Sequence, residues 1–232
     1  MRAVKVDEQA RAYEESRSSV EALVRDRTAD ELARIVPCCP KWTVEDLVGH
    51  LTGVLEDRND KRLPTGGFEE WTSAQVDRHR AEPIDVVLGT WMSLPVEHND
   101  DVPSLAALSF DVVTHEHDLR HALGVPGDRT SFAVHVGSAR ALDRMASMLA
   151  GAGAPGVRLG TEEGEYLVEG GAPPIGLTTT TFRFMRLVTG RVSRTQAEGL
   201  DWDGDATPVL DALFADGFFS LQPVDVIGAD AF

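Results

Sequence analysis

Between Asp7 and Gly124 the apolar residues of this chain recur at threes and fours, interrupted where proline and glycine cluster, and past Gly127 that rhythm gives way to segments of period two. A side chain returns to the same face of a helix after three or four residues, and to the same face of a strand after two. The pattern predicts an α+β chain, with a helical bundle over residues 1–127 followed by a small α+β domain over residues 128–232.

Within the first half, Ala10, Tyr13, Val20, Leu23, Val24 and Leu32 predict one long helix from about Asp7 to Ile35, ended by Pro37. A second helix starts at Thr43, with Asp46 three residues on as a capping box using Asp for Glu, and runs to about Arg62. Pro64, Gly66 and Gly67 break the chain. Shorter helices are expected around Trp71–Arg80 and from Ile84 to Leu94, before Pro95. The next follows Pro103, capped by Ser104 and finished at Gly124. In the second half, Phe132–Ala150 reads as a helix and Val157–Gly160 with Glu165–Glu169 as a hairpin around Glu163 and Gly164. Helices return from Thr178 to Thr189, entered through four threonines, and near Pro208–Phe214.

Composition removes several classes of function. A net charge of −16 with no basic stripe argues against nucleic acid as a partner. No apolar run reaches the ~18 residues that cross a bilayer, and the charged N-terminus has no signal-peptide core, so no membrane partner and a cytoplasmic location are expected. Cys38 and Cys39 are adjacent and precede Pro40, which is neither a CxxC pair nor a disulfide framework; two reduced, half-buried thiols in a helix-to-helix turn are expected. No base is near them in sequence to support a redox or nucleophilic role.

Chemistry concentrates in the Ser104–Gly124 helix. Leu105, Leu108, Val112, Leu119 and Leu123 form its apolar stripe, and Asp111, His115 and Asp118 share one flank. Asp111 and His115, four residues apart, stack a carboxylate and an imidazole on one face. On the second helix His50 lies at the edge of a stripe made by Val44, Leu47, Val48, Leu51, Val54 and Leu55, with Gly49 and Gly53 leaving room for a neighbour. His50, Asp111 and His115 are the candidate metal ligands, and three such donors leave coordination positions open. The spacing suits equally two boundary histidines beside an Asp111 paired with an arginine.

Other motifs fail on context. His117-Asp-Leu-Arg-His121 imitates a zinc-protease signature but falls on the far side of its helix with Thr114. Gly151-x-Gly-x-x-Gly156 follows a helix and precedes a strand, the reverse of a dinucleotide site. Asp201-Trp-Asp-Gly-Asp205 opens like a calcium loop, yet Ala206 and Ala212 stand at positions that need glycine and glutamate, so a turn before the last helix is expected.

Lys41–Gly53 and Asp111–Gly124, with Leu187–Arg194 and Leu200–Asp205, resemble the signature stretches of the actinobacterial mycothiol-dependent maleylpyruvate isomerase family, within the DinB-like group of four-helix metalloproteins. The resemblance implies a DinB-like four-helix bundle and a divalent metal on His50, Asp111 and His115, with aspartate where the isomerase has glutamate. It also implies mycothiol as thiol cosubstrate, held as thiolate, adding to a conjugated double bond of a small-molecule substrate. Zinc is the default ion; nickel, manganese or iron accept the same donors. Arg183, Arg186, Arg191 and Arg194 are all candidates to steer a dicarboxylate, and no motif chooses among them. The leading expectation is a metal- and thiol-dependent isomerase or thiol transferase acting on a small electrophilic metabolite of the maleylpyruvate type. A metal-dependent hydrolase using a bound water with Asp118 as base, and a non-catalytic metal- or ligand-binding module, are the alternatives. Oligomeric state is not encoded legibly.

Overall fold

A computed structural model describes residues 4–62, 66–96 and 104–228. By internal packing the chain divides into two compact units, Val4–Gly127 and a second that begins at Asp128.

In the first unit, α1 (Val6–Val24), α3 (Val44–Asn59), α5 (Ile84–Ser93) and α6 (Leu105–Leu123) form the helical bundle. Contacts run from α1 to α6, from α6 to α3 and from α3 to α5. The ring closes between α1 and α5, where Trp91 Nε1 donates to Tyr13 Oη at 2.8 Å and Arg17 Nη1 donates to the Trp91 carbonyl at 3.0 Å. The apolar stripe of α3 is buried, with Val44, Leu47, Val48 and Leu55 fully enclosed. Its start is as expected: Thr43 accepts from the Asp46 amide at 3.1 Å and the Asp46 carboxylate accepts from the Thr43 amide at 3.0 Å. α4 (Phe68–His79) lies along α3. The approach is close at both glycines: a Cβ on Gly53 would stand 2.6 Å from Gln75 Cβ, so that α4 would have to shift, and one on Gly49 would be tight at 3.3 Å from His79 Cβ.

The first helix is shorter than periodicity predicts. It stops at Val24, and α2 (Ala29–Leu32) restarts because Thr28 and Glu31 cap each other, the Glu31 carboxylate accepting from the Thr28 amide at 3.0 Å. The link to α3 is also more ordered than a turn: β1 (Ile35–Val36) pairs antiparallel with β2 (Cys39–Thr43). This hairpin buries Cys38 and leaves Cys39 partly covered. α6 ends at Gly124 in the left-handed region, φ 69°, as a C-cap glycine should. It is buried almost all round, Thr114 and His117 included, so the face opposite its leucine stripe is also interior. The chain breaks expected at Pro64 and Pro103 lie outside the described residues.

The second unit holds a four-stranded mixed sheet in the order β4-β3-β5-β6. β3 (Pro155–Thr161) and β4 (Gly164–Val168) make the expected hairpin. β5 (Ala172–Thr178) runs parallel to β3, and β6 (Asp201–Asp203) antiparallel to β5. The last two strands escape a period-two search: Pro173, Pro174 and Gly176 obscure β5, and β6 is three residues long. Asp201–Asp203 is therefore a strand, and the turn follows it at Gly204, φ 133°. α7 (Phe132–Ala152) packs against α8 (Thr181–Val188) and α10 (Thr207–Leu213), α7 and α10 reach the sheet at β3, and α9 (Arg194–Glu198) is a further short helix capped by Ser193. Val157, Leu159, Val168 and Leu177 supply the buried sheet residues. Among the described residues, no helix is long and apolar enough to cross a membrane.

Candidate metal centre

α3 and α6 bring His50, Asp111 and His115 together, with one ligand atom from each lying within 4.8 Å of the others. His50 Nε2 stands 3.6 Å from Asp111 Oδ2, and His115 Nε2 stands 3.5 Å from Asp111 Oδ1. The two rings are nearly perpendicular, with centroids 5.4 Å apart. Both imidazoles are buried, whereas the Asp111 side chain keeps 32% of its surface exposed. One side of the cluster is therefore open, at the carboxylate. Trp42 on β2 closes another side: its ring lies 4.8 Å from that of His50 and 6.4 Å from that of His115.

Each histidine is held from behind. His115 Nδ1 lies 3.0 Å from Asp118 Oδ2, and His50 Nδ1 lies 2.9 Å from Gln75 Oε1. An imidazole that donates through Nδ1 keeps its Nε2 lone pair for a cation, the usual arrangement behind metal-bound histidines. Two such nitrogens aimed at one carboxylate form a donor set that suits zinc and other divalent first-row ions. The residues present thus fit a divalent ion.

The electrostatics agree. Burial would raise the Asp111 carboxyl, but His115 and then His50 outweigh it and hold the group well below the ordinary carboxylate range. Burial would lower the His115 imidazole, but Asp111, then Asp118 and Cys39, hold it well above its ordinary value. A site that favours a carboxylate and a cationic neighbour so strongly would favour a metal cation in the same place.

The helix pattern offers Asp118 as the general base of a hydrolase. Its side chain is fully buried, and it bonds the Nδ1 edge of His115, away from the open side. It also accepts from Cys39 Sγ at 3.9 Å, giving that thiol a partner no local pattern indicated. Cys39, His115 and Asp118 form a second close group. Shared bonding to one carboxylate oxygen accounts for it. Gln75 and Trp42 were not singled out from the sequence, because neither lies on a helix face shared with a candidate ligand. Among the described residues, neither His117 nor His121 joins a ligand cluster, and neither do the aspartates Asp201, Asp203 and Asp205.

Of the four arginines, Arg194 is paired at the surface with Glu198 at 2.5 Å and Asp211 at 2.6 Å. Arg191 is buried, donates to the Thr189 carbonyl at 2.7 Å and lies over the Phe219 ring. Arg186 is fully buried beside Phe182, and Arg183 is exposed.

Residues 13–61, the segment that carries His50, match the family model described as the mycothiol maleylpyruvate isomerase N-terminal domain. Two solved structures share the fold: a mycothiol-dependent maleylpyruvate isomerase at 13% sequence identity, and a histidine-to-alanine mutant of such an isomerase at 12%. Each aligns with a TM-score of 0.57 over 88% of this chain and 96% of the other. A sequence search of curated proteins returns no match. The resemblance read from the sequence is the one that the family model and the shared fold return.

Proposed function

We propose that the chain is a divalent-metal-dependent, thiol-dependent isomerase or thiol transferase, using mycothiol and acting on a small electrophilic metabolite of the maleylpyruvate type. His50, Asp111 and His115 are its metal ligands in this reading. The observation that carries it is the convergence of two Nε2 atoms on Asp111, each imidazole backed through Nδ1 by a buried acceptor. The fold shared with a mycothiol-dependent isomerase supports the choice of thiol and substrate class.

When bound, the divalent ion supplies a positive charge that keeps a thiol ionised at neutral pH. The protein's own contributions are geometric. Asp118 and Gln75 hold the two rings, Asp111 contributes the negative charge, and Trp42 covers the His50 side so that approach is from the exposed carboxylate edge. The chemistry this suits is addition of a thiolate to a conjugated carbon–carbon double bond, rotation about the resulting single bond, and expulsion of the same thiolate. Hydrolysis through a bound water would need a base on the open side, and Asp118 lies behind His115.

Elemental analysis of purified protein should find about one divalent ion per chain, lost in the His50→Ala, His115→Ala double variant. Mycothiol should then shift the visible spectrum of cobalt-substituted protein. Equal absence of metal from both proteins would remove the metal reading, and an unchanged spectrum at saturating thiol would remove the thiol. Turnover of activated esters without thiol would favour a hydrolase.

A further inference from the structure

Asp57 lies about two turns beyond His50 on α3 and is almost wholly buried. Three donors converge on it. Arg62 Nε donates to Oδ1 at 2.8 Å, Arg78 Nη2 to the same oxygen at 2.7 Å, and Gln75 Nε2 to Oδ2 at 2.8 Å. Burial would raise this carboxyl, but Gln75, Arg78 and Arg62 together hold it below the ordinary range, so it stays anionic.

The consequence is a chain of forced choices. A carboxylate can only accept, so the amide of Gln75 must turn its nitrogen toward Asp57 and its oxygen the other way. That oxygen faces His50 Nδ1 at 2.9 Å and can itself only accept, so Nδ1 must carry a hydrogen. A neutral imidazole has one hydrogen on its two nitrogens, so Nε2 is left with its lone pair, pointing toward Asp111.

We infer that Asp57, acting through Gln75, is a positioning residue that keeps the hydrogen of His50 on Nδ1 and so makes Nε2 the donor atom. The inference takes its purpose from the metal reading above, while its geometry does not depend on it. Gly53 is part of the same device, since any side chain there would displace Gln75. His115 needs no such relay, because the carboxylate of Asp118 bonds its Nδ1 directly. The two ligand histidines therefore differ: His115 is backed by an anion and His50 by a neutral amide polarised by an anion one step further away.

The test is nitrogen NMR of metal-free, histidine-labelled protein, with the tautomer read from the two ring-nitrogen shifts across a pH series, alongside zinc affinity by chelator competition. Wild type should show His50 as the Nδ1–H tautomer alone. Asp57→Asn frees the amide to turn over, and Gln75→Met removes the link at similar volume. Both should give mixed tautomers and bind zinc about 10- to 100-fold more weakly. Asp57→Asn also removes the buried anion that Arg62 and Arg78 share, leaving them Glu56 and Asp60, and could fail to fold; Gln75→Met leaves those ion pairs in place and decides the matter alone. A Gln75→Met protein that keeps the pure Nδ1–H tautomer, with zinc affinity within about twofold of wild type, would overturn the inference. If wild type binds no zinc yet the tautomer mixes in the variants, the positioning role stands and the metal reading falls.

Discussion

The two histidines that meet at Asp111 are held in different ways. His115 takes its partner from its own helix, since Asp118 lies three residues on, and the bond would form wherever that helix forms. His50 takes its partner from α4, and Gln75 arrives only because α4 is seated against Gly53 and anchored by Asp57. One half of the centre is a property of local helix geometry. The other is a property of tertiary packing, and it should fail when the packing does.

That contrast can be broken from either side. Asp118→Asn replaces an anionic acceptor by a weaker neutral one behind His115 and should weaken zinc binding about 10- to 100-fold, with the thermal unfolding of the metal-free protein still cooperative. Zinc competition titrations that match wild type would mean the i, i+3 bond is incidental. Gly53→Ala acts on the other half. The added methyl gains up to ~1 kcal/mol of helix propensity, but it meets Gln75 Cα at 3.0 Å as well as its side chain. The net effect should be a loss of about 1 to 3 kcal/mol in denaturant unfolding, together with disturbance of the His50 resonances and not those of His115.

The pH dependence sharpens the comparison, because it is set on the Asp111–His115 side. The value of His115 is raised in the folded protein. Its contribution to stability is therefore complete below the ordinary imidazole value of about 6.5 and is lost as pH climbs through the raised value. The value of Asp111 is depressed, so its contribution is present above about 3.9 and is lost only as pH falls through the lowered value. Metal-free protein should accordingly lose thermal stability as pH rises from neutral. Added zinc should reverse that slope, since binding needs the neutral rings. A flat profile in metal-free protein would show that the pair is not coupled as the geometry requires. The smallest effect belongs to Thr43→Ala, which removes the α3 cap and should cost about 1 kcal/mol without altering zinc affinity.

What could be read in advance follows the same division. Thr43 with Asp46, Ser104 and Gly124 mark the ends of α3 and α6 because capping is decided within a turn of the chain. Asp111, His115 and Asp118 could be placed on one flank by angle alone. Thr28 with Glu31 carries the same kind of capping signal, but apolar periodicity runs through it and hides the end of α1. β5 and β6 pair with partners distant in sequence and carry proline, glycine or too few residues to alternate. The links from Cys39 to Asp118, from Gln75 to His50 and from Asp57 to Arg78 join residues of different segments, and no local pattern announces them.

Trp42, lying over the His50 ring, gives this centre an indicator of its own. An indole in van der Waals reach of a candidate ligand imidazole should change its emission when an ion with unfilled d orbitals binds there, and far less when zinc does. Occupancy could thus be followed by light, with Trp42→Phe as the blank for the emission of Trp71, Trp91 and Trp202.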